Sequence, residues 1–357
     1  MKIYRQFVLI LLVFTSFLLK ECSVIPERSD VIAETIIYPP PPAEPRIQYL
    51  TSFSTSAEFT GPQSTFHKFI FGEEPPLPIV KPYGITIHGS KLYICDTGLG
   101  GLEVLDLEEN TFEYFIPGGM GQLQFPLNCA LDSRNYLYIA DGNRKQVVIF
   151  NDRLNYVNAI SLENGAKPTD VAVNDSLLFI AALDDHSIHV YDKTSLNGLM
   201  KISGIGESDS MFLYQPANIV LKDSLLMVSD LGGCKINTFS IDGSPLQSFG
   251  KPGREMGDFT RPKGIAADKD GNLYVVDAAF ENIQLFNSRG ELLMNFGGTY
   301  AGPGGMWLPA GVAVDYTNLD HFKEYGNERF SFEYLIYVSN QYGPDRISVY
   351  GFISRIQ

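Results

Sequence analysis

The stretch PKGIAADKDGNLYVVDAAFENIQLFNSRGELLMNFGG, residues 262–298, decides the fold. It contains four short apolar runs, separated by turn residues such as Asp270-Gly271 and Arg289-Gly290. Short runs rich in β-branched and aromatic residues and bounded by turn residues are typical of β-strands. The stretch therefore predicts four consecutive antiparallel strands.

The same phrases recur along the whole chain. The first phrase begins at six prolines, spaced by 44, 42, 48, 46 and 47 residues: Pro82, Pro126, Pro168, Pro216, Pro262 and Pro309. The second phrase ends at Asp96, Asp141, Ala182, Asp230, Asp277 and Asn340. The third phrase begins at Leu102, Val147, Ile188, Ile236, Ile283 and Ile347. Repeats of about 40 to 50 residues with four strands each are typical of β-propellers, so the sequence predicts six blades.

A fourth strand is found in only five repeats, at 112–116, 156–160, 199–203, 245–249 and 292–296. RIQYLTSF, residues 46–53, has the character of the missing sixth strand. Because a closed ring needs every strand edge to be paired, we predict that this N-terminal strand is the outer strand of blade six. The predicted fold is an all-β, six-bladed β-propeller over residues 46–357. An open β-solenoid, the alternative, would not need the N-terminal strand.

The N-terminal segment has the pattern of an export signal. Lys2 and Arg5 precede an apolar run at residues 7–19, which is short for a membrane span and typical of a secretory signal peptide over residues 1–22. Cys22 resembles the lipidated cysteine of bacterial lipoproteins, although residues 20–21, Lys-Glu, stand where that pattern has small residues. An uncleaved anchor and ordinary secretion are the alternatives. Residues 23–45 include four consecutive prolines and favour an extended tether.

The repeat phrases resemble NHL repeats, whose pattern is P-x-G-I-A-x-D, G-x-L-Y-V-x-D, R-I-x-V-F and a turn followed by F-G. Residues 262–298 match this pattern almost throughout. With the lipoprotein-like start and the tether, the chain is similar to the envelope-associated NHL proteins of Gram-negative bacteria. This resemblance implies a location in the periplasm or at the outer membrane, with attachment through an N-terminal lipid or anchor. NHL-type propellers also include RNA-binding domains, amidating lyases and, more remotely, lactonases.

Composition narrows the range of partners. Lys and Arg number 27 and Asp and Glu number 41, which gives a net charge of −14 and opposes approach to the phosphates of nucleic acids. With 45% hydrophobic and 19% charged residues, the chain can form a packed core. The acidic excess therefore favours neutral or cationic partners over nucleic acid. We expect a monomeric propeller that binds a protein or peptide.

Two columns of polar residues are candidate sites. The residues that end the second strands are mostly aspartates. They are interpreted as turn formers that bind backbone N–H groups; the alternative is that they form a ring of ligating side chains. The second column follows each repeat proline by two positions: Gly84, Asn128, Asp170, Asn218, Gly264 and Gly311. Lactonase-like propellers place Asn and carboxylate side chains around a metal, so this resemblance implies a Ca²⁺ or Zn²⁺ site at Asn128, Asp170 and Asn218. The alternative is that one turn with positive φ explains the whole column, because Gly, Asn and Asp tolerate that conformation.

Loops on the propeller faces are candidate binding surfaces. They contain Arg254, Met256, Met306 and Trp307, which belong to residue types common at interfaces, and Asp184, Asp185 and His186 in blade three. Trp307 has an alternative role as a plug between blades. An aromatic insertion at 316–334 is a further binding candidate, or a cover for the other mouth of the channel.

Motif spacing does not favour catalysis. The sequence contains no G-x-S-x-G, Walker or H-E-x-x-H motif, and no C-x-x-C. Cys95 and Cys129 lie in apolar strand columns and are interpreted as small core residues. The sequence favours a non-catalytic binding or scaffolding propeller without a cofactor. The alternative is a metal-dependent enzyme of the lactonase or lyase type.

Overall fold

The structure is a computed structural model that describes residues 35–61, 75–204 and 209–356. The predicted signal peptide, Cys22 and the first part of the predicted tether lie outside the described residues. Within these ranges, 25 strands form six antiparallel sheets. None of the helices in the described ranges has the length and apolarity that crossing a lipid bilayer requires.

The chain begins with two strands and a short helix, β1 (Ile37–Tyr38), β2 (Ile47–Phe53) and α1 (Ser56–Thr60). Blade one contains β3 (Pro82–His88), β4 (Lys91–Asp96), β5 (Gly101–Asp106) and β6 (Thr111–Phe115). Blade two contains β7 (Pro126–Leu131), β8 (Leu137–Asp141), β9 (Gln146–Phe150) and β10 (Tyr156–Ser161). Blade three contains β11 (Pro168–Val173), β12 (Leu177–Ala182), β13 (Ser187–Asp192) and β14 (Gly198–Ile202).

Blade four contains β15 (Pro216–Lys222), β16 (Leu225–Asp230), β17 (Lys235–Ser240) and β18 (Pro245–Phe249). Blade five contains β19 (Pro262–Ala267), β20 (Leu273–Asp277), β21 (Asn282–Phe286) and β22 (Leu292–Gly297). Blade six contains β23 (Pro309–Asp315), β24 (Phe330–Asn340) and β25 (Ile347–Arg355). Three short 3₁₀ helices lie in connections, at Gly119–Gly121, Glu163–Gly165 and Leu319–Tyr325.

The N-terminal strand closes the ring, as predicted. β2 pairs antiparallel with β25, from Ile47 opposite Phe352 to Phe53 opposite Ile347, and β1 adds a fifth strand outside β2. The six-bladed propeller is therefore confirmed. The observed bounds of the closing strand and of the other outer strands differ from the predicted ones by at most one residue at either end.

Each junction between neighbouring blades has its own hydrophobic core. The junction of blades one and two buries Cys95 and Cys129 among Leu, Ile and Val side chains, which confirms their interpretation as core residues. Both are free thiols, as is the half-buried Cys234.

The strand-end aspartates fix the loops at one face of the propeller. Asp96 Oδ2 accepts hydrogen bonds from the N–H groups of Val80 and Lys81, at 2.8 and 2.7 Å. Its other oxygen, Oδ1, accepts from the N–H groups of residues 98 and 99. The equivalent aspartates 141, 230 and 277 also bind the two N–H groups directly before the proline that begins their own repeat. The interpretation of this column as turn formers is confirmed.

The innermost strand of every blade begins at one face, here called the top face, and ends at the opposite, bottom face. The top face carries the loops that precede the innermost strands, within residues 75–81, 116–125, 162–167, 203–204, 209–215, 250–261 and 298–308. It also carries the loops between second and third strands, at 97–100, 142–145, 183–186, 231–234, 278–281 and 341–346.

Candidate functional site

A cavity of about 310 Å³ lies on the propeller axis and is lined by the innermost strands of all six blades. Its lining starts at the level of Asn128, Asp170 and Asn218 and runs toward the bottom face, where His88 and Val314 line it. The wall between these levels is mostly Ile, Val, Leu and Ala. The polar residues predicted to converge therefore lie together at the top-face end of the cavity.

The contacts of Asp170 occupy both of its oxygens. Oδ1 accepts from Val171 N at 2.7 Å, and Oδ2 accepts from Ile219 N at 2.8 Å and from Asn218 Nδ2 at 3.3 Å. Burial of this carboxyl group raises its pKa to about 7, against the lowering effect of the three hydrogen bonds. Asn128 Nδ2 donates to the carbonyl oxygen of Thr169 at 3.0 Å. These side chains tie neighbouring innermost strands together.

The turn explanation of this column is wrong. None of its six residues has positive φ. Instead, the pairing of innermost and second strands shifts by a bulge directly after each repeat proline. Glycine is required where the next blade comes close: a Cβ at Gly264 would lie 2.5 Å from the Ala310 carbonyl oxygen, and one at Gly311 would lie 2.6 Å from that of Tyr83. The column records close strand packing around the axis.

The donor set for a cation is small. The described residues contain no group of three or more His, Cys, Asp or Glu side chains arranged to hold a metal ion. Asp170 supplies the one carboxylate of the predicted triad, and its oxygens already accept three N–H groups. Asn218 Oδ1 is available as a metal ligand, because it is buried without a hydrogen-bond partner in the described part of the chain. The residues present thus fit a Ca²⁺ or Zn²⁺ ion only in part.

The blade-three loop residues make structural contacts. Asp184 Oδ1 accepts from Lys167 N at 2.7 Å and so performs the task that a strand-end aspartate performs in other blades, where blade three has Ala182. Asp185 Oδ2 contacts His189 Nε2 at 2.6 Å and Lys201 Nζ at 3.0 Å. The neighbouring His186 Nδ1 lies 2.6 Å from the carbonyl oxygen of Tyr214.

The four other predicted binding residues divide into two groups. Arg254 and Met256 are exposed on the top face, with 60% of Met256 accessible. Met306 is fully buried beneath Gly297, so the expectation that it lies on the binding surface is corrected. Trp307 is half-buried and lies so close to Gly343 that a Cβ there would overlap the indole ring, which supports its alternative role as a plug.

The insertion in blade six lies at the bottom face and braces the junction between blades six and one. Asn318 Nδ2 donates to the Gly89 carbonyl oxygen at 3.0 Å, and His321 Nδ1 lies 2.8 Å from that of Leu107, both in blade one. Phe322 is buried in the core shared by blades six and one. The insertion does not line the axial cavity, so its contacts support a bracing role at this blade junction.

Sequence reasoning missed two features. A column of buried third-strand residues is polar in five of six blades: Glu103, His189, Asn237, Gln284 and Ser348. A polar residue at the second position of the apolar third phrase, in every blade except blade two, was the available signal. The second feature is a cationic cluster at the top-face mouth of the channel, where Lys263 is buried beside the ring of Tyr83.

The fold and the cavity define this chain as a six-bladed β-propeller. No family model matches its sequence. A streptogramin B lyase structure is 15% identical, covers 79% of this chain and 85% of its own, and has a TM-score of 0.53. A virginiamycin B lyase from Staphylococcus aureus is 14% identical over 76% of this chain and 95% of its own, with a TM-score of 0.52. A protein of unknown function from Bacteroides thetaiotaomicron is 14% identical over 86% of this chain and 76% of its own, with a TM-score of 0.59. At these identities the likeness shows the fold alone.

Proposed function

We propose that this chain is a non-catalytic binding or scaffolding propeller of the bacterial cell envelope, and that it recognises a protein or peptide partner through its top face. One observation carries the proposal. The described loops of the top face expose eight large apolar or aromatic side chains: Leu77, Val80, Ile116, Met120, Tyr214, Met256, Tyr300 and Tyr342. Exposed apolar side chains gathered on one face mark interaction surfaces, particularly where aromatic residues and Met occur among them.

Charge on the top face indicates the character of the partner. Lys81, Arg254 and Arg261 lie in the same loops as the exposed apolar residues. The whole chain, by contrast, carries a net charge of −14. Acidic residues such as Glu255 and Asp258 lie in these loops too, so the basic character is confined to the surroundings of Lys81 and Arg261. A partner segment that combines hydrophobic and acidic residues would fit that part of the face.

The contacts at the candidate polar sites support binding over chemistry. The oxygens of Asp170 accept N–H groups from two strands, and Asp184 holds a loop. Asp185 is shared between His189 and Lys201. A general acid or base needs an oxygen or nitrogen free to reach substrate, and both oxygens of Asp170, the one carboxyl group at the end of the axial cavity, are engaged with the fold.

The envelope location rests on the sequence. The signal-like residues 1–22, the lipoprotein-like Cys22 and the tether over 23–45 would hold the propeller at the membrane surface. The NHL-like phrases support the same assignment. Labelling cells with a fatty-acid analogue tests the lipid: wild type should be labelled and Cys22→Ser should not. Unlabelled wild type would remove the lipid anchor.

Affinity capture from crosslinked cell envelopes tests the binding role. A Met120→Asp, Met256→Asp double variant places charge at the two most exposed apolar residues of the top face, 74% and 60% accessible. A matched control, Val157→Asp with Leu199→Asp, changes exposed residues of outer strands. We expect the control and wild type to recover the same partner and the top-face variant to lose it. Equal recovery by both variants, or repeated recovery of the bait alone, would count against the proposal.

A second function, a metal-dependent lactonase or lyase, is favoured by the unpartnered Asn218 Oδ1 at the end of the axial cavity. Here Asn128, Asp170 and Asn218 would hold Ca²⁺ or Zn²⁺. Elemental analysis of purified protein and melting curves with each ion test this function. A bound ion, together with a stabilisation that Asn218→Ala removes, would support it. Absence of both ions and no shift on adding them would end it.

A further inference from the structure

Two large side chains, those of Tyr83 and Lys263, lie at the top-face mouth of the channel. The residues directly after the repeat prolines form a ring above the axial cavity: Tyr83, Leu127, Thr169, Ala217, Lys263 and Ala310. Lys263 and Tyr83 come from blades five and one, and between them blade six contributes only the methyl group of Ala310. Lys263 therefore reaches across blade six, and its Nζ lies 4.8 Å from the centroid of the Tyr83 ring.

Lys263 is buried without an acidic partner. Its side chain is 3% exposed, and among the described residues its Nζ has no carboxylate within ion-pair distance. The contrast is Lys193, a second buried lysine, whose Nζ pairs with Asp132 Oδ2 at 3.3 Å. A buried charge without a counter-charge is strongly destabilising, and a cation–π contact offsets only part of that cost. An anion beside Lys263 Nζ would therefore stabilise its charged form.

Two further basic residues at the mouth add positive charge that no carboxylate balances. Lys81 and Arg261 each stand directly before a repeat proline, at the same mouth, and neither has an ion-pair partner among the described residues. Lys81 Nζ lies 5.3 Å from the ring centroid of Tyr342. Burial, with the positive charges of Arg261 and Lys81, lowers the pKa of Lys263 to about 7. We call Lys81, Arg261 and Lys263 the cationic mouth.

Access to the cationic mouth is from the top face. Arg261 is exposed, and Lys81 and Tyr83 are half-buried. The nearby Asp170 carboxylate is engaged with Val171, Ile219 and Asn218. An incoming anion would therefore meet Lys81, Arg261 and the protonated form of Lys263, in a position that excludes much of the solvent and strengthens charge–charge attraction.

We propose that the cationic mouth binds a carboxylate, with Lys263 Nζ as the central donor and Lys81 and Arg261 flanking it. The proposal deepens the proposed function, since it names the chemical group that a partner would insert at the centre of the top face. The carboxylate comes either from a free small acid or from an acidic side chain or chain end of the partner. The chemistry is the same in both cases, and the experiment separates them.

Titration calorimetry on the purified full chain tests the site without the partner. The probes are sodium acetate, sodium succinate and inorganic phosphate at constant ionic strength, with chloride as the reference. We expect saturable binding of the carboxylates. Lys263→Met should weaken their affinity about 10- to 100-fold, because it removes one hydrogen bond to a charged group. Lys145→Met, an exposed lysine of a top-face loop, is the matched control and should bind as wild type does. Arg261→Gln should weaken binding by a smaller factor.

Folding of the main variant is checked independently. Because Lys263→Met replaces an unpaired buried charge by an apolar side chain, its melting temperature in chloride should equal or exceed that of wild type. A folded Lys263→Met that binds succinate like wild type would overturn the proposal. A wild type with no saturable response to acetate or succinate, or with a stronger response to phosphate, would overturn it as well.

Capture from crosslinked envelopes then assigns the source of the carboxylate. If the partner supplies it, Lys263→Met and excess succinate should both reduce recovery of the partner. If a free acid fills the site, recovery should be unchanged while succinate still binds the purified protein. Failure to capture any partner would count against the proposed function alone, because the calorimetry on purified protein is independent of it.

Discussion

Glu103 offers the sharpest test of the energetics of the fold. Its side chain is fully buried in β5, and neither carboxyl oxygen has a hydrogen-bond partner in the described part of the chain. Burial, aided by the negative charge of Asp96, raises the pKa of Glu103 from an ordinary 4.5 to about 10. Folded Glu103 therefore keeps its proton at neutral pH, whereas unfolded Glu103 loses it. The perturbation we suggest is Glu103→Gln, which is neutral at every pH.

The sign and size of the effect follow from proton linkage. Because the folded pKa is the higher one, the folded state binds more protons than the unfolded state between the two pKa values, and stability falls as pH rises through that window. Each pH unit costs about 1.4 kcal/mol. At about pH 7 wild type should have lost about 3 kcal/mol of unfolding free energy relative to about pH 4.5 on account of Glu103.

Urea unfolding at a series of pH values, followed by the fluorescence of the single Trp, measures this effect. Glu103→Gln and wild type should unfold alike near about pH 4.5, and the variant should gain on wild type steadily as pH rises. Glu113→Gln, an exposed carboxylate on β6 of the same blade, is the matched control and should follow wild type. Parallel pH profiles for wild type and Glu103→Gln would refute the reasoning, as would a variant that weakens as pH rises.

Three further outcomes are expected. Deleting residues 46–54 removes β2 and should abolish cooperative unfolding by circular dichroism; unchanged melting would contradict ring closure. Gly311→Ala places a Cβ 2.6 Å from a backbone carbonyl oxygen and should lower the free energy of unfolding, measured with urea, by about 1–3 kcal/mol. Gly118→Ala, which has open space around it, is the control and should lower it little; equal effects would exclude close packing as the cause. Burial raises the pKa of the Cys95 thiol well above its usual value, so a thiol reagent should label Cys95 only after unfolding, as mapped by mass spectrometry. Half-buried Cys234 should be labelled slowly in the folded protein; fast labelling of both thiols in the folded protein would show that the core is open.

The fold could be predicted because its signals are local and repeated. A proline, a strand-end aspartate and an apolar third phrase recur in nearly every unit, so errors in one repeat are corrected by the others. The closing strand was predictable from 46–53 because an unpaired edge is unfavourable in a closed ring. The sequence also shows which residue replaces the strand-end aspartate in blade three, because Asp184 lies two residues after Ala182, which occupies that position.

The candidate site could be predicted only as a set of positions. The repeat register predicts that Asn128, Asp170 and Asn218 lie together at the top-face end of the cavity. It does not explain why these positions hold Asn, Asp or Gly, because the close approach between blades is a tertiary property. Met306 shows the same limit: a methionine in a long loop has no sequence mark that distinguishes burial from exposure. Lys263 was missed because its lack of a counter-charge depends on blades one, five and six together.

Ring closure by β2 also orders events in time. The closing strand is among the first parts of the propeller to be synthesised, yet its partner β25 appears about 300 residues later. Until then β2 has an open edge, and the entropic cost of bringing so distant a pair together is met only when the last blade exists. Ring closure must therefore wait until β25 has been synthesised, and the unpaired N-terminal strand is exposed to mispairing or to capture by a chaperone in the interval.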